Sequence, residues 1–114
     1  MTDCLFCKMV SAEIQPDRVY EDDEVLAFRD ISPQAPVHIL IIPKQHIATL
    51  NDASEGHAML MGKLMLVAKQ LAVQEGIDQD GYRTVINCNQ HGGQAVYHIH
   101  VHLLGGRQMG WPPG

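Results

Sequence analysis

The alternation His98-Ile99-His100-Val101-His102 constrains this chain more than any other stretch. Successive side chains of a β-strand point to opposite faces. A strand here sets three imidazoles on one face and Tyr97, Ile99, Val101 and Leu103 on the other. Same-face neighbours stand about 6.5–7 Å apart, a span that suits a phosphate group and its ester partners. A helix would scatter the rings and waste the alternation. One histidine on such a strand reads as a hydrogen-bonded structural residue. Three in strict alternation, of seven in the chain, point to a site.

The chain has 114 residues, 46% hydrophobic and 18% charged, which predicts one domain around one core. A net charge of −5 excludes broad, nonspecific nucleic-acid binding, which needs a basic surface. The start lacks a basic region followed by an apolar run, and no apolar stretch reaches the ~18–20 residues of a membrane span. The expectation is a cytoplasmic protein with no membrane partner. Three cysteines, an odd count, do not make a disulfide framework.

Hydrophobic periodicity predicts a short helix over 5–12, capped by Asp3, then strands at 18–21 and 24–29 joined by Asp22-Asp23 as a hairpin. Two prolines mark 30–36 as a loop. The apolar run 37–42 predicts a central strand closed by Pro43. Asp52 and Glu55 have capping-box spacing ahead of one long helix that carries Leu60, Leu64, Val67, Ala68 and Leu71. Met61 and Met65 widen that stripe and read as core rather than ligands. Gly76 suits the C-terminal end. A strand at 82–87, a loop with Gly92-Gly93, the histidine strand and an irregular tail complete the chain. The fold class is α+β: a five-stranded antiparallel sheet with one long and one short helix, the helices covering one face.

Taken alone, several motifs stay open. Cys4-x-x-Cys7 is a metal pair, a redox pair or incidental. His38 is a buried core histidine or a site residue, and Asp30 a turn residue or an acceptor. Gly92-Gly93 is not a phosphate loop, because no Lys-Ser or Lys-Thr follows. Cys88 reads as strand core, and His57 and His91 as exposed residues without a role.

His98-Ile99-His100-Val101-His102-Leu103-Leu104 resembles the signature of the histidine triad (HIT) superfamily. Asp30-Ile31-Ser32-Pro33-Gln34-Ala35-Pro36, Ile42-Pro43-Lys44, Gly92-Gly93-Gln94 before Tyr97-His98, and Gly105-Gly106-Arg107-Gln108-Met109 with Trp111-Pro112-Pro113-Gly114 resemble its nucleotide-binding Hint branch. The likeness covers nearly the whole chain, as one HIT domain over 1–114.

That resemblance implies a purine nucleoside phosphoramidase. It would cleave the P–N bond of adenosine or guanosine phosphoramidates, and also aminoacyl-adenylates, through a nucleotidyl-histidine. His100 would attack phosphorus, neutral imidazole being a good nucleophile. His102 would serve the phosphate and the departing amine, and His38 would orient the site. Asp30 would accept from the ribose hydroxyls. Ile31, Phe6, Met9, Ile14 and Phe28 would form the base slot, with Asn87, Gly93, Gln94 and Ala95 around the phosphate and leaving group. Ala95 departs from many animal Hint proteins, which carry a serine there whose hydroxyl serves the leaving nitrogen.

In some bacterial relatives the cysteine pair completes a structural zinc site, here Cys4, Cys7, His46 and His98, with no metal needed for catalysis. The resemblance further implies a two-fold homodimer with a sheet continuous across it and with the tail, 105–114, carrying Trp111 to the partner's site. Purine nucleotides such as AMP or GMP are the implied ligands. The competing readings are a dinucleoside polyphosphate hydrolase, a nucleotide-responsive scaffold with incidental hydrolysis, and a zinc-dithiol redox module.

Overall fold

The computed structural model describes residues 3–114. Its elements run α1 (Leu5–Val10), β1 (Arg18–Glu21), β2 (Val25–Arg29), β3 (Val37–Pro43), α2 (Ala58–Gln74), β4 (Tyr82–Val85), α3 (Asn89–Gly92) and β5 (Val101–Gly105). The five strands form one antiparallel sheet in the order β1-β2-β3-β5-β4. The α+β class is as the sequence predicts, with α3 as an additional single turn. No helix among the described residues is long and apolar enough to cross a membrane.

Strand alternation sorts the two sheet faces. Val25 and Ala27 of β2, Ile39 and Ile41 of β3, and Val101 and Leu103 of β5 pack with Leu64, Val67, Ala68 and Leu71 of α2. The opposite face presents Leu26, Phe28, Leu40 and Ile42, which pack with Phe6 of α1. Helices therefore lie on both faces, not on one. The centre of the α2 side is apolar, with Arg29 and Thr84 at its margins; the α1 side is where the histidines enter. By the same alternation it carries His38 and His102.

The β1–β2 turn is made by Asp22, whose carboxylate accepts the backbone N–H groups of Glu24 and Val25 at 2.8 and 2.9 Å. Beyond β2, Arg29 grips Glu75 at the end of α2 through two parallel bonds of 2.8 and 3.0 Å. That clamp fixes the chain just before Asp30.

Only the last histidine of the triad lies in the ladder. β5 starts at Val101, opposite Ile41. Continuing that register would set Ile99 against Pro43, which has no N–H to give. Ile99 instead donates to the carbonyl of Ile47 at 2.7 Å. His98 and His100 thus stand on non-ladder chain, and both rings still pack on Phe6, at centroid distances of 5.9 and 5.1 Å.

Other expectations need correction. Cys4, not Asp3, caps α1: its sulfur accepts the Cys7 N–H at 3.3 Å. Asp52 does not cap the long helix; it accepts from the N–H and hydroxyl of Thr49 at 3.1 and 2.9 Å, within a separate 3₁₀ turn. Met65 is 39% exposed on α2, because it falls beside rather than on the buried stripe. β4 stops at Val85, so Asn87 lies outside it, and Cys88 is a half-buried residue at the start of α3. His57 is half-buried, its Nδ1 accepting the Ser54 N–H at 3.0 Å.

Candidate active site and metal centre

Hydrogen bonds to backbone groups fix which nitrogen of His38, His98 and His100 carries its proton, and His38 then fixes His102. Burial lowers the proton affinity of His98, His100 and His102, His102 to about 4, where His100 and His38 push the same way. Burial also lowers His38, with Asp30 opposing. At neutral pH all four rings are therefore neutral, with one proton each.

His100 Nδ1 lies 2.8 Å from the carbonyl oxygen of His98. A carbonyl only accepts, so Nδ1 holds the proton and Nε2 keeps a free lone pair. His38 Nδ1 accepts the backbone N–H of Gln34 at 3.0 Å, so His38 is protonated at Nε2. That N–H faces His102 Nδ1 at 2.9 Å, which leaves His102 protonated at Nε2. The result is one bare nucleophilic nitrogen on His100 beside one N–H donor on His102, with ring centroids 4.9 Å apart.

Asp30 follows β2 and is half-buried. One carboxylate oxygen accepts the Ser32 N–H at 2.8 Å; the other is 3.5 Å from His38 Nε2. Asp30, His38 and His102 are close enough to gather around a cation. Their protonation argues otherwise: His38 Nε2 can ligate only by surrendering the proton that the Gln34 N–H places there. This trio suits a proton-ordered hydrogen-bond chain.

Beside it opens a largely apolar cavity of about 360 Å³. Phe6, Met9, Ile14, Phe28 and Ile31, the five residues expected as a base slot, all line it together with Asp30. The sequence reading missed Leu5, Leu40 and Val96, which also line it. Leu40 carried a usable signal, being two residues from His38 on one strand face.

The glycine loop differs from expectation. Gln94 is buried; its amide N–H groups go to the carbonyls of Ala48 and Val96 at 2.8 and 3.1 Å, and its oxygen accepts the Asn89 N–H. With both protons used, Gln94 braces the loop and does not face a ligand. Gly93, at φ +80°, closes α3 by donating to Gln90, so its N–H is also committed. Ala95 is exposed, and Asn87 half-buried. Trp111 is 83% exposed and does not line the cavity within its own chain.

Cys4, Cys7, His46 and His98 converge as expected for a metal centre. His98 Nε2 donates to the Pro43 carbonyl at 2.8 Å, which turns a bare Nδ1 toward the cluster. That nitrogen is 3.3 Å from Cys4 Sγ, 3.6 Å from Cys7 Sγ and 3.2 Å from His46 Nδ1; Cys7 Sγ is 3.3 Å from His46 Nδ1. With zinc–sulfur and zinc–nitrogen bonds of about 2.3 and 2.0–2.1 Å, a tetrahedral site has edges of about 3.3–3.8 Å, so these donors fit a zinc ion.

Against this geometry, the HIT-domain family model matches residues 11–109. The chain belongs to the HIT family. It is 58% identical over 106 residues to the purine nucleoside phosphoramidase of Escherichia coli K12, across 93% of this chain and 89% of that one. It is 57% identical over 114 residues to the 14 kDa zinc-binding protein of Brassica juncea, across 98% and 100% of the two chains. The crystal structure of a HIT family hydrolase from Legionella pneumophila has a TM-score of 0.97 at 58% identity, covering 98% of this chain and all, 100%, of that one. The family read from the histidine motif is thus the family of the chain, and the same HIT sheet, long helix and short helix recur.

Proposed function

We propose that this HIT protein is a purine nucleoside phosphoramidase. The observation that carries the reading is the bare Nε2 of His100, set by the His98 carbonyl, beside the His102 N–H and an apolar cavity rimmed by Asp30. The similarity to the Escherichia coli phosphoramidase supports it. The purine ring enters the cavity between Phe6, Phe28 and Ile31, and Asp30 accepts from the ribose hydroxyls with lone pairs only.

His100 Nε2 attacks the α-phosphorus. The new N–P bond forms as the P–N bond to the amine breaks, and the amine leaves with a proton from water over the exposed Ala95. The hydroxide left by that proton transfer then attacks the nucleotidyl-His100, giving the nucleoside monophosphate and restoring neutral His100. His102 donates Nε2–H to a phosphoryl oxygen throughout, stabilising charge as it builds. Giving that proton up outright would leave an imidazolate, so the role of His102 narrows to hydrogen-bond donation.

Cys4, Cys7, His46 and His98 hold a structural zinc ion that ties α1, and with it Phe6, to the nucleophile segment; no catalytic step uses it. Thiolate ligation suits a reducing, cytoplasmic setting. A second copy of the chain covers the exposed Met59, Leu66 and Val73 of α2 beside edge strand β4, and Trp111 reaches that partner's site. Incubation with adenosine 5′-phosphoramidate tests the activity: AMP and free amine form, and His100→Ala abolishes their formation while AMP binding persists. Binding without turnover by the wild type would favour a nucleotide-responsive scaffold.

A further inference from the structure

The hydrogen-bond chain that sets the His102 proton does not end at Gln34. Arg107, just past β5, donates from Nε and Nη2 to the Gln34 carbonyl oxygen at 3.2 and 3.1 Å, and from Nη1 to the carbonyl of Gln108 at 3.1 Å. Gln34 in turn gives its own N–H to His38 Nδ1. The segment carrying Arg107 lies close on the same loop. Gly106 stands at φ +91°, and a Cβ there would come within 2.9 Å of Pro36. A bare glycine and a forked guanidinium thus press the start of the tail onto the loop between β2 and β3.

We infer that Arg107 is a positioning residue for His102, acting through the backbone on both sides of Gln34 and through His38. Loop peptides turn readily when nothing holds their carbonyls. Two donors converging on one oxygen pin the Gln34–Ala35 peptide, and across the Gln34 Cα they restrain the adjoining Pro33–Gln34 peptide, whose N–H His38 receives. If that N–H turns away, His38 Nδ1 is free to take the proton. His38 Nε2 then becomes an acceptor, and His102 reverses to protonation at Nδ1, removing its N–H from the phosphate. Asp30 Oδ2, 3.5 Å from His38 Nε2, still favours the proton there, so losing the guanidinium shifts the balance between donor and lone pair on His102 without reversing it completely. The consequence for rate rests on the proposed role of His102; the protonation pattern does not.

The test compares wild type, Arg107→Ala and Arg107→Lys. Arg107 is exposed, so these chains keep the fold. Long-range ¹⁵N–¹H spectra of ligand-free protein read which nitrogen of His38, His100 and His102 is protonated. In the wild type His102 is protonated at Nε2. In Arg107→Ala the His38 and His102 nitrogens shift toward mixed protonation while His100 is unchanged, and kcat for adenosine phosphoramidate falls roughly tenfold or more with little change in KM. Arg107→Lys, with one rotatable ammonium, recovers part of both signals. An Arg107→Ala spectrum identical to wild type at His38 and His102 overturns the inference, whatever its rate. Absence of turnover in the wild type would sink the phosphoramidase reading, while the nitrogen spectra would still decide the role of Arg107.

Discussion

The backbone carbonyl of His98 accepts the Nδ1–H of His100 at 2.8 Å, while the His98 ring turns its own bare nitrogen to Cys4 and Cys7. One residue thus serves two clusters: its main chain sets which nitrogen of His100 is bare, and its side chain joins the N-terminal helix to that segment. Because Cys4 also caps α1, the cluster organises the helix that supplies Phe6, Met9 and Leu5 to the cavity.

Removing the cluster should therefore harm stability and substrate binding more than chemistry. Cys7→Ser is expected to lose bound zinc and to lower the unfolding midpoint by roughly 10 °C or more. KM for the nucleotide should rise while kcat changes less. Metal analysis, thermal unfolding and steady-state kinetics check this together. An unchanged midpoint with full loss of zinc would contradict the tethering role.

The pH dependence follows from His102. Burial depresses it to about 4 in the folded chain, against an unfolded value of about 6.5. Between those values the unfolded chain binds the extra proton and the folded chain does not. Stability therefore rises with pH across that window and is flat with respect to this group above it. Urea unfolding of the wild type should weaken more steeply from about pH 6.5 to 4 than that of His102→Gln. In the same way, the acid limb of kcat/KM should fall below the ordinary histidine range. A limb at or above that range would show that His102 is not held neutral by burial.

In the proposed mechanism the departing amine takes its proton from water at the exposed Ala95. Ala95→Ser places a hydroxyl at that exposed position and should raise kcat several-fold for substrates with poorly leaving amines, with AMP affinity unchanged. Measuring kcat across amines of graded basicity checks this. Equal rates for both chains across the series would remove residue 95 from the leaving-group side.

The sheet, its central strand and the long helix were legible because each carries an unbroken apolar period, as in the run 37–42 and the spacing of Leu60, Leu64, Val67 and Leu71. The Cys4, Cys7, His46 and His98 cluster and five of the residues that line the apolar cavity were legible through the family motif. What stayed hidden depends on tertiary partners. That the ladder begins only at Val101 follows from Pro43 lying across from Ile99, a relation between strands far apart in sequence. Gln94 looks like a ligand-facing amide until Ala48 and Val96 are seen to take both its protons. Arg107 shows in the sequence only as one residue of the Hint-like closing motif; the carbonyl it holds lies 73 residues away.

The central claim is that His100 Nε2 forms a bond to phosphorus. Rapid quenching of the protein with a stoichiometric adenosine phosphoramidate, followed by intact-mass analysis and peptide mapping under phosphoramidate-preserving conditions, tests it directly. The expected result is a transient adduct of one adenylyl group on His100, absent in His100→Ala. Turnover by His100→Ala at the wild-type rate, or an adduct mapped to another residue, would contradict it.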